Sequence, residues 1–239
     1  ALALNIISDS GYVLEVKRNF AKEMVTAFIR LNGNSVGVVA NRRILYNDLG
    51  EIEKEFENVL SHQGSDKAAE FVGFCDAFNI PVLTLVDVKG FRTTKCSEKR
   101  MPRAAARLVN AYANATVPKV SLIVGDAVGS AALSMNSKSI GADIVFAWES
   151  AKMGMMDAKE AVKIIYSNEI SSNDDAVAVI NEKTKEYNDL QNSIVYAARR
   201  GFVDDIITVS DTRKRLVAAF EMLFTKRPDR HFYKKNGTV

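Results

Sequence analysis

The chain of 239 residues reads as an α/β protein in which parallel strands alternate with helices that lie outside them. Three observations point there. The runs Ile80–Val86, Lys119–Val124 and Asp143–Trp148 are predominantly apolar and rich in β-branched residues, the pattern of strands buried on both faces. Helix-forming segments stand between these runs, which is the order that parallel crossover connections require. No Pro-, Gly- or Ser-rich linker breaks the chain, so residues 1–239 are read as one domain.

Taken in order, residues 1–8 suit a short helix, and Ser8-Asp-Ser-Gly11 is turn chemistry. Tyr12–Val16, Met24–Leu31 and Ser35–Ala40 read as strands, the last two joined by Asn32-Gly33, a strong hairpin signal. Residues 41–64 turn polar and charged; they read as an insertion or long surface loop, with an exposed helix over Glu51–Leu60. Ser65 is the expected N-cap of a helix over Asp66–Phe78, whose buried face is Ala68, Phe71, Val72 and Cys75. Pro81 suits the start of the next strand, and Arg92–Arg100 reads as a polar loop. Pro102 suits the first turn of an alanine-rich helix ending near Ala115. After the strand at Asp143–Trp148, Lys152–Met156 reads as a shorter one, and Asp157 caps a helix to about Tyr166. Residues 167–183 read as partly irregular, and Lys185–Arg200 as one long helix stopped by Gly201. A short strand lies within Phe202–Val209. Ser210 and Asp211 cap a final helix carrying Leu216, Phe220, Leu223 and Phe224 on one face.

Composition narrows the function. The chain is 47% hydrophobic and 26% charged, with a net charge of +3. That is an ordinary globular mixture, without the strong basicity of a nucleic-acid binder. No apolar run is long enough to span a membrane, and the first residues lack a basic signal region; two cysteines without a disulfide framework fit a reducing, cytoplasmic setting. The N-terminus lacks an initiator Met, which leaves open processing or excision from a longer chain. Cys75 reads as a small core residue and Cys96 as a free thiol in a loop; they form no metal-ligand pair, and no metal is expected. The two histidines, His62 and His231, lie in polar surroundings, which argues against a Ser-His-Asp or Cys-His nucleophile.

Backbone donors are the better suspects, and Lys119–Met135 presents them. Its first half is an apolar strand; Gly129-Ser130-Ala131-Ala132 then forms a small-residue turn that opens a helix. The first N–H groups of a helix have no intrahelical acceptor, and the helix behind them is positive at that end. Gly129, Ser130 and Ala131 are therefore candidates to hold an oxyanion. Small side chains that let a helix pack closely on a sheet explain the same pattern.

Four segments carry a family resemblance: Ser65–Phe91, Ala113–Lys119, Ser137–Asp143 and Ala197–Ile206. They resemble the carboxyltransferase subunit of biotin-dependent acyl-CoA carboxylases and decarboxylases, in its C-terminal half. The resemblance covers about residues 11–40 and 65–225. It implies a crotonase-like (ClpP-like) spiral of β-β-α units with outer helices. It also implies transfer of a carboxyl group between carboxybiotin, borne on a partner carrier protein, and an acyl-CoA thioester. The implied partners are an N-terminal-type half and the biotin carrier, in a homo-oligomer of two or six copies, with no nucleic acid and no membrane insertion. On this resemblance, Ser130 and Ala131 stabilise oxyanions. Lys89, Gly90 and Phe91 shape the biotin side, or form an ordinary turn; Leu133 and Met155 line the substrate pocket. Met153, Met155 and Met156 either line a channel or pack in the core. Lys226, Arg227, Arg230, Lys234 and Lys235 either meet CoA phosphates or form a solvated tail. Asp87 and Asp157 are expected as caps or turn residues.

The sequence departs from the family at several points. Lys89 replaces a usual proline, and the loop Arg92–Arg100 lacks the family's glycine-containing segment. Ser130 replaces a glycine, Leu133 stands where a polar or acidic residue is common, and residues 41–64 are extra. These departures bear on substrate choice. They also leave two other readings open: a non-catalytic assembly subunit with the same fold, and a self-sufficient crotonase-type hydratase or isomerase.

Overall fold

The computed structural model describes residues 2–47, 49–173 and 175–226. In chain order the strands are β1 (Val13–Val16), β2 (Met24–Leu31), β3 (Asn34–Asn41), β4 (Ile44–Tyr46), β5 (Ile52–Glu55), β6 (Val59–Leu60), β7 (Val82–Val88), β8 (Gly90–Phe91), β9 (Lys119–Val128), β10 (Ile144–Trp148), β11 (Lys152–Gly154) and β12 (Asp205–Ile207). The helices are α1 (Leu2–Ile7), α2 (His62–Ala77), α3 (Lys95–Asn114), α4 (Gly129–Ser134), α5 (Ala158–Ile165), α6 (Ser167–Ser172), α7 (Ala176–Gln191), α8 (Ile194–Arg199) and α9 (Thr212–Leu223).

Eight strands form the main sheet in the order β1-β2-β3-β7-β9-β10-β12, with β11 beside the far end of β9. Its first three strands are antiparallel; Asn32 and Gly33, both at positive φ, make the tight turn between β2 and β3. From β3 onward every pairing is parallel, as the unbroken apolar runs require. The repeated unit is a long strand, a short strand and a helix: β3, β6, α2, then β7, β8, α3. The short strands β6 and β8 pair with each other in a separate two-stranded sheet. This is the β-β-α coil expected from the resemblance.

Helices cover both faces of the sheet. Val72 of α2, Leu108 of α3, Met135 after α4 and Ala197 of α8 join one core. Leu4 and Ile7 of α1 close the other face together with Leu216 and Phe220 of α9.

Several boundaries differ from the sequence expectation, each for a local reason. No helix forms over Glu51–Leu60. Instead β4 and β5 pair as a hairpin whose turn is closed by Asn47 Oδ1, which accepts from the N–H groups of Leu49 and Glu51. Through β6, segment 41–64 also pairs with β8 in the separate two-stranded sheet. Helix α2 starts earlier than expected: Ser61 is its N-cap and accepts from Gly64 N at 2.9 Å, while Ser65 is buried inside the helix. His62 is buried too, at 9% exposure, contrary to the polar setting inferred for it.

Helix α3 begins at Lys95 behind the cap Thr94, which accepts from Ser97 N, so the expected loop 92–100 is half helix. Pro102 sits inside that helix; it cannot bond the Glu98 carbonyl, but both residues are exposed and water can take its place. The long helix foreseen over 185–200 is two, α7 and α8, because Ser193 caps a fresh start by accepting from Tyr196 N. Residues 167–183 are largely helical. At the last helix, Asp211 occupies the N-cap without a side-chain capping bond, its carboxylate accepting from Thr208 Oγ1 instead, and Phe224 is exposed just past the end. Of the basic tail, Lys226 pairs with Asp143 at 2.8 Å. Arg227, Arg230, Lys234 and Lys235, like His231, lie outside the described residues.

Candidate functional site

The site is built where β7 and β9 lose register. Val86 faces Ile123 and Val88 faces Ala127, so three residues of β9, Val124–Asp126, stand opposite the single Asp87. Such a bulge bends a strand and re-aims the residues beyond it. The Asp87 carboxylate holds it open: Oδ1 accepts from Asp126 N at 3.0 Å and from Asn58 Nδ2 at 2.9 Å, with Arg43 at 3.5 Å from Oδ2. Gly125 is required there, because a Cβ would lie 2.5 Å from Asp87 Oδ1. Asp87 thus fixes the strand end, whereas Asp157 is a plain helix cap that accepts from Lys159 N.

Past Val128 the chain turns through Gly129 at φ +63°, a left-handed conformation that favours glycine, and a Cβ here would stand 3.1 Å from the Met155 carbonyl. Helix α4 follows. The N–H groups of Ser130 and Ala131 have no acceptor among the described residues, as expected for a first helical turn. Ser130 is exposed, while Ala131 is 1% exposed.

Gly129, Ala132 and Leu133 form one wall of a mainly apolar depression of about 140 Å³. Met153 and Met155 from β11 and its end add to it; Tyr187, Tyr196, Arg200 and Phe202 close it from the α7–α8 side. No carboxylate is among its lining residues. The Arg200 guanidinium lies 4.2 Å from the centre of the Tyr196 ring and donates to its hydroxyl at 2.8 Å. This α7–α8 wall is not foreseen by a reading of the region as one uninterrupted helix; the arginine pair ahead of Gly201 is the available signal.

The structure therefore brings Gly129, Leu133 and Met155 to one cavity. Ser130 and Ala131 lie between two lining residues in sequence without lining it themselves. Met155 is 78% exposed and Met156 is exposed too, so neither packs in the core; Met153 does. Lys89 stands apart, in a polar depression of about 230 Å³ with Asp126, Lys152 and Lys159, its Nζ 3.6 Å from Asp126 Oδ2. Gly90 and Phe91 line neither depression; they pair with β6, and Phe91 packs on the core. Cys75 is buried, which pushes its thiol up to about 12, whereas Cys96 is exposed on α3. Among the described residues no cluster of three or more His, Cys, Asp or Glu could hold a metal ion, and no helix is long and apolar enough to cross a membrane.

Comparison with known proteins decides what such a turn belongs to. A family model described as the carboxyl transferase domain matches residues 2–239. The chain belongs to the carboxyl transferase domain family. It is 43% identical over 232 residues to the methylmalonyl-CoA carboxyltransferase 12S subunit of Propionibacterium freudenreichii subsp. shermanii, covering 97% of this chain and 42% of that protein. It is 40% identical over 234 residues to the methylmalonyl-CoA decarboxylase subunit alpha of Propionigenium modestum, covering 98% and 43%. Among solved structures, transcarboxylase 12S, described as a hexamer assembly with methylmalonyl-coenzyme A and methylmalonic acid bound, superimposes with a TM-score of 0.90 at 41% identity over 99% of this chain and 44% of that one. The geranyl-CoA carboxylase beta subunit of P. aeruginosa, 21% identical with a TM-score of 0.79, shares the fold. As a member of this family, the chain has the crotonase-like fold. It spans less than half the length of the curated relatives it matches.

Proposed function

We propose that this chain is the biotin-side, C-terminal-type half of an acyl-CoA carboxyltransferase, working in a cytoplasmic complex with an N-terminal-type half and a biotin carrier protein. The observation that carries this reading is the β9–α4 turn: two backbone donors without acceptors beside a mainly apolar cavity that offers no carboxylate. A hydratase or isomerase would need a carboxylate there to move a proton, and none lines the cavity. Carboxyl transfer needs instead a dry surface and donors for negative charge that grows on oxygen.

The residues present fit biotin by the chemistry of the donor set. Biotin on its carrier supplies the carboxyl group. Leu133, Met153, Met155 and Phe202 would hold the apolar part of the ring and exclude water, which would strengthen every polar contact at the turn. Ser130 N–H and Ala131 N–H would offer two hydrogen bonds to an oxygen that gains negative charge in the transfer. Asp87 and Gly129 act on the backbone, setting the direction in which these amides point. The acyl-CoA is held mainly by the complementing half; methylmalonyl-CoA-like thioesters are the expected substrates, given the relatives' names.

The test is reconstitution. The chain alone, given acyl-CoA and carboxybiotin, should show no turnover, and transfer should appear when the complementing half is added. Appreciable turnover by the chain alone contradicts a divided site.

A further inference from the structure

The first turns of α3 carry a concentrated positive charge that the oxyanion turn and its cavity do not use. Between Lys95 and Arg107 there are five basic residues, Lys95, Lys99, Arg100, Arg103 and Arg107, and one acidic residue, Glu98. That is a local +4, from five minus one, in a chain whose total is +3. Lys99, Arg103 and Arg107 repeat every four residues and so form a stripe about 12 Å long along the helix. With Arg100 and Asp66 of α2 they line a depression of about 470 Å³.

The neighbouring acids are already engaged. Asp66 pairs with Arg107 at 3.0 Å, and Glu70, one turn further along α2, pairs with Lys17 at 2.6 Å. Lys95, Lys99, Arg100 and Arg103 are exposed and make no ion pair among the described residues. This surplus faces outward rather than stabilising the fold.

Its place ties it to the site. Helix α3 begins four residues after β8, and α4 packs against both β8 and α3, so the stripe lies at the end of the sheet that holds the oxyanion turn. The exposed face of α3 offers no large apolar side chain. A stable interface needs buried aromatic or aliphatic anchors; a purely charged one contributes arrival rate and little residence time. A protein that must deliver a group and leave in every cycle is matched by that second kind of surface. Exposed Lys99, Arg100 and Arg103 side chains around an open depression also suit a broad acidic face better than a small anion. No aromatic is exposed on α3 for bases to stack on, which disfavours single-stranded nucleic acid.

We propose that the Lys99–Arg100–Arg103–Arg107 face of α3 is the docking surface for an acidic face of the protein that carries biotin to this site. The proposal rests on the carboxyltransferase reading. Charge steering raises association from about 10⁵–10⁶ to as much as 10⁸–10⁹ M⁻¹s⁻¹ at low salt, and salt screens it.

The experiment uses the assembled enzyme with Arg100→Glu/Arg103→Glu, and the milder Arg100→Ala/Arg103→Ala to guard against misfolding. Each is assayed with the carboxylated carrier and with free carboxybiotin, at low salt and near 1 M salt. Expected is a fall of tenfold or more in kcat/KM for the carrier at low salt, seen mainly in KM, shrinking at high salt. Free carboxybiotin should react at the wild-type rate throughout. Unchanged carrier kinetics at low salt overturn the docking surface, as does an equal loss with free carboxybiotin, which would move the stripe into the small-molecule site. If wild-type enzyme transfers nothing from either donor, the carboxyltransferase reading itself fails.

Discussion

Replacing Gly125 by alanine tests how the site is aimed. The new Cβ would lie 2.5 Å from Asp87 Oδ1 and 2.8 Å from Asp87 Cγ, so the carboxylate must leave its place. It then loses two hydrogen bonds, from Asp126 N and from Asn58 Nδ2. Bonds to a charged acceptor contribute about 1.5–3 kcal/mol each, and relaxation recovers part of that. The Arg43 contact adds little, since its side chain is 57% exposed. Gly125→Ala should therefore cost about 2–4 kcal/mol in urea unfolding. The decisive form is a double-mutant cycle with Asp87→Ala. Once the carboxylate is gone the clash is gone, so Gly125→Ala should add only a few tenths of a kcal/mol in that background, a coupling of about 2 kcal/mol. In the assembled enzyme both single variants should also slow transfer, because the bulge no longer sets the direction of Val128–Ala131. Additive costs, or a neutral Gly125→Ala, would refute the claim that Asp87 holds the bulge.

Lys67 offers a pH test: it is buried, donates to the Phe20 and Met24 carbonyls at 2.8 and 2.7 Å, and burial pushes its ammonium from 10.5 down to about 8. The unfolded chain binds this proton up to a higher pH than the folded one, so stability should rise between pH 8 and 10.5, by up to about 3 kcal/mol, and Lys67→Met should lack that rise. Parallel stability curves for wild type and variant would exclude it. Association should also be measurable. Helices α6 and α7 have no buried residue, and Ile164, Ile165, Val177 and Leu190 are exposed around them, so light scattering at micromolar concentration should show self-association or binding to the complementing half; a monomer that ignores that half would contradict the composite site.

Much of this architecture is legible in the residues. Strands buried on both faces announce themselves as unbroken apolar runs, and Asn32-Gly33 names its own turn. The apolar spacing of α2 announces the helix but not its start: Ser61 and Ser65 both satisfy the capping pattern, and burial alone separates them. The start of α3 is obscured because Pro102 is a familiar first-turn residue, while Thr94, the real cap, sits in a stretch too charged to look helical. The basic face of α3 is hidden with it, since that face exists only when Lys99, Arg103 and Arg107 are placed on one helix. At the site, the turn at Gly129 is legible from its small residues. The bulge is not, because it depends on Asp87 meeting Gly125 across two strands. Nor is the α7–α8 wall, which comes from residues about sixty positions further along the chain.

We propose that Ser130 and Ala131 act through backbone N–H groups. Ala131→Pro removes one of those groups at a position where proline is tolerated in a helix's first turn, so the fold should survive. Ser130→Gly keeps the amide and removes only an exposed side chain. The measurement is the single-turnover rate of carboxyl transfer by both variants in the assembled enzyme, with thermal unfolding as the control on folding. Ala131→Pro should lose a factor of about 10²–10³ in rate, and Ser130→Gly should transfer at a near-normal rate. A folded Ala131→Pro that transfers at the wild-type rate, or a Ser130→Gly that has lost transfer, would contradict the proposal.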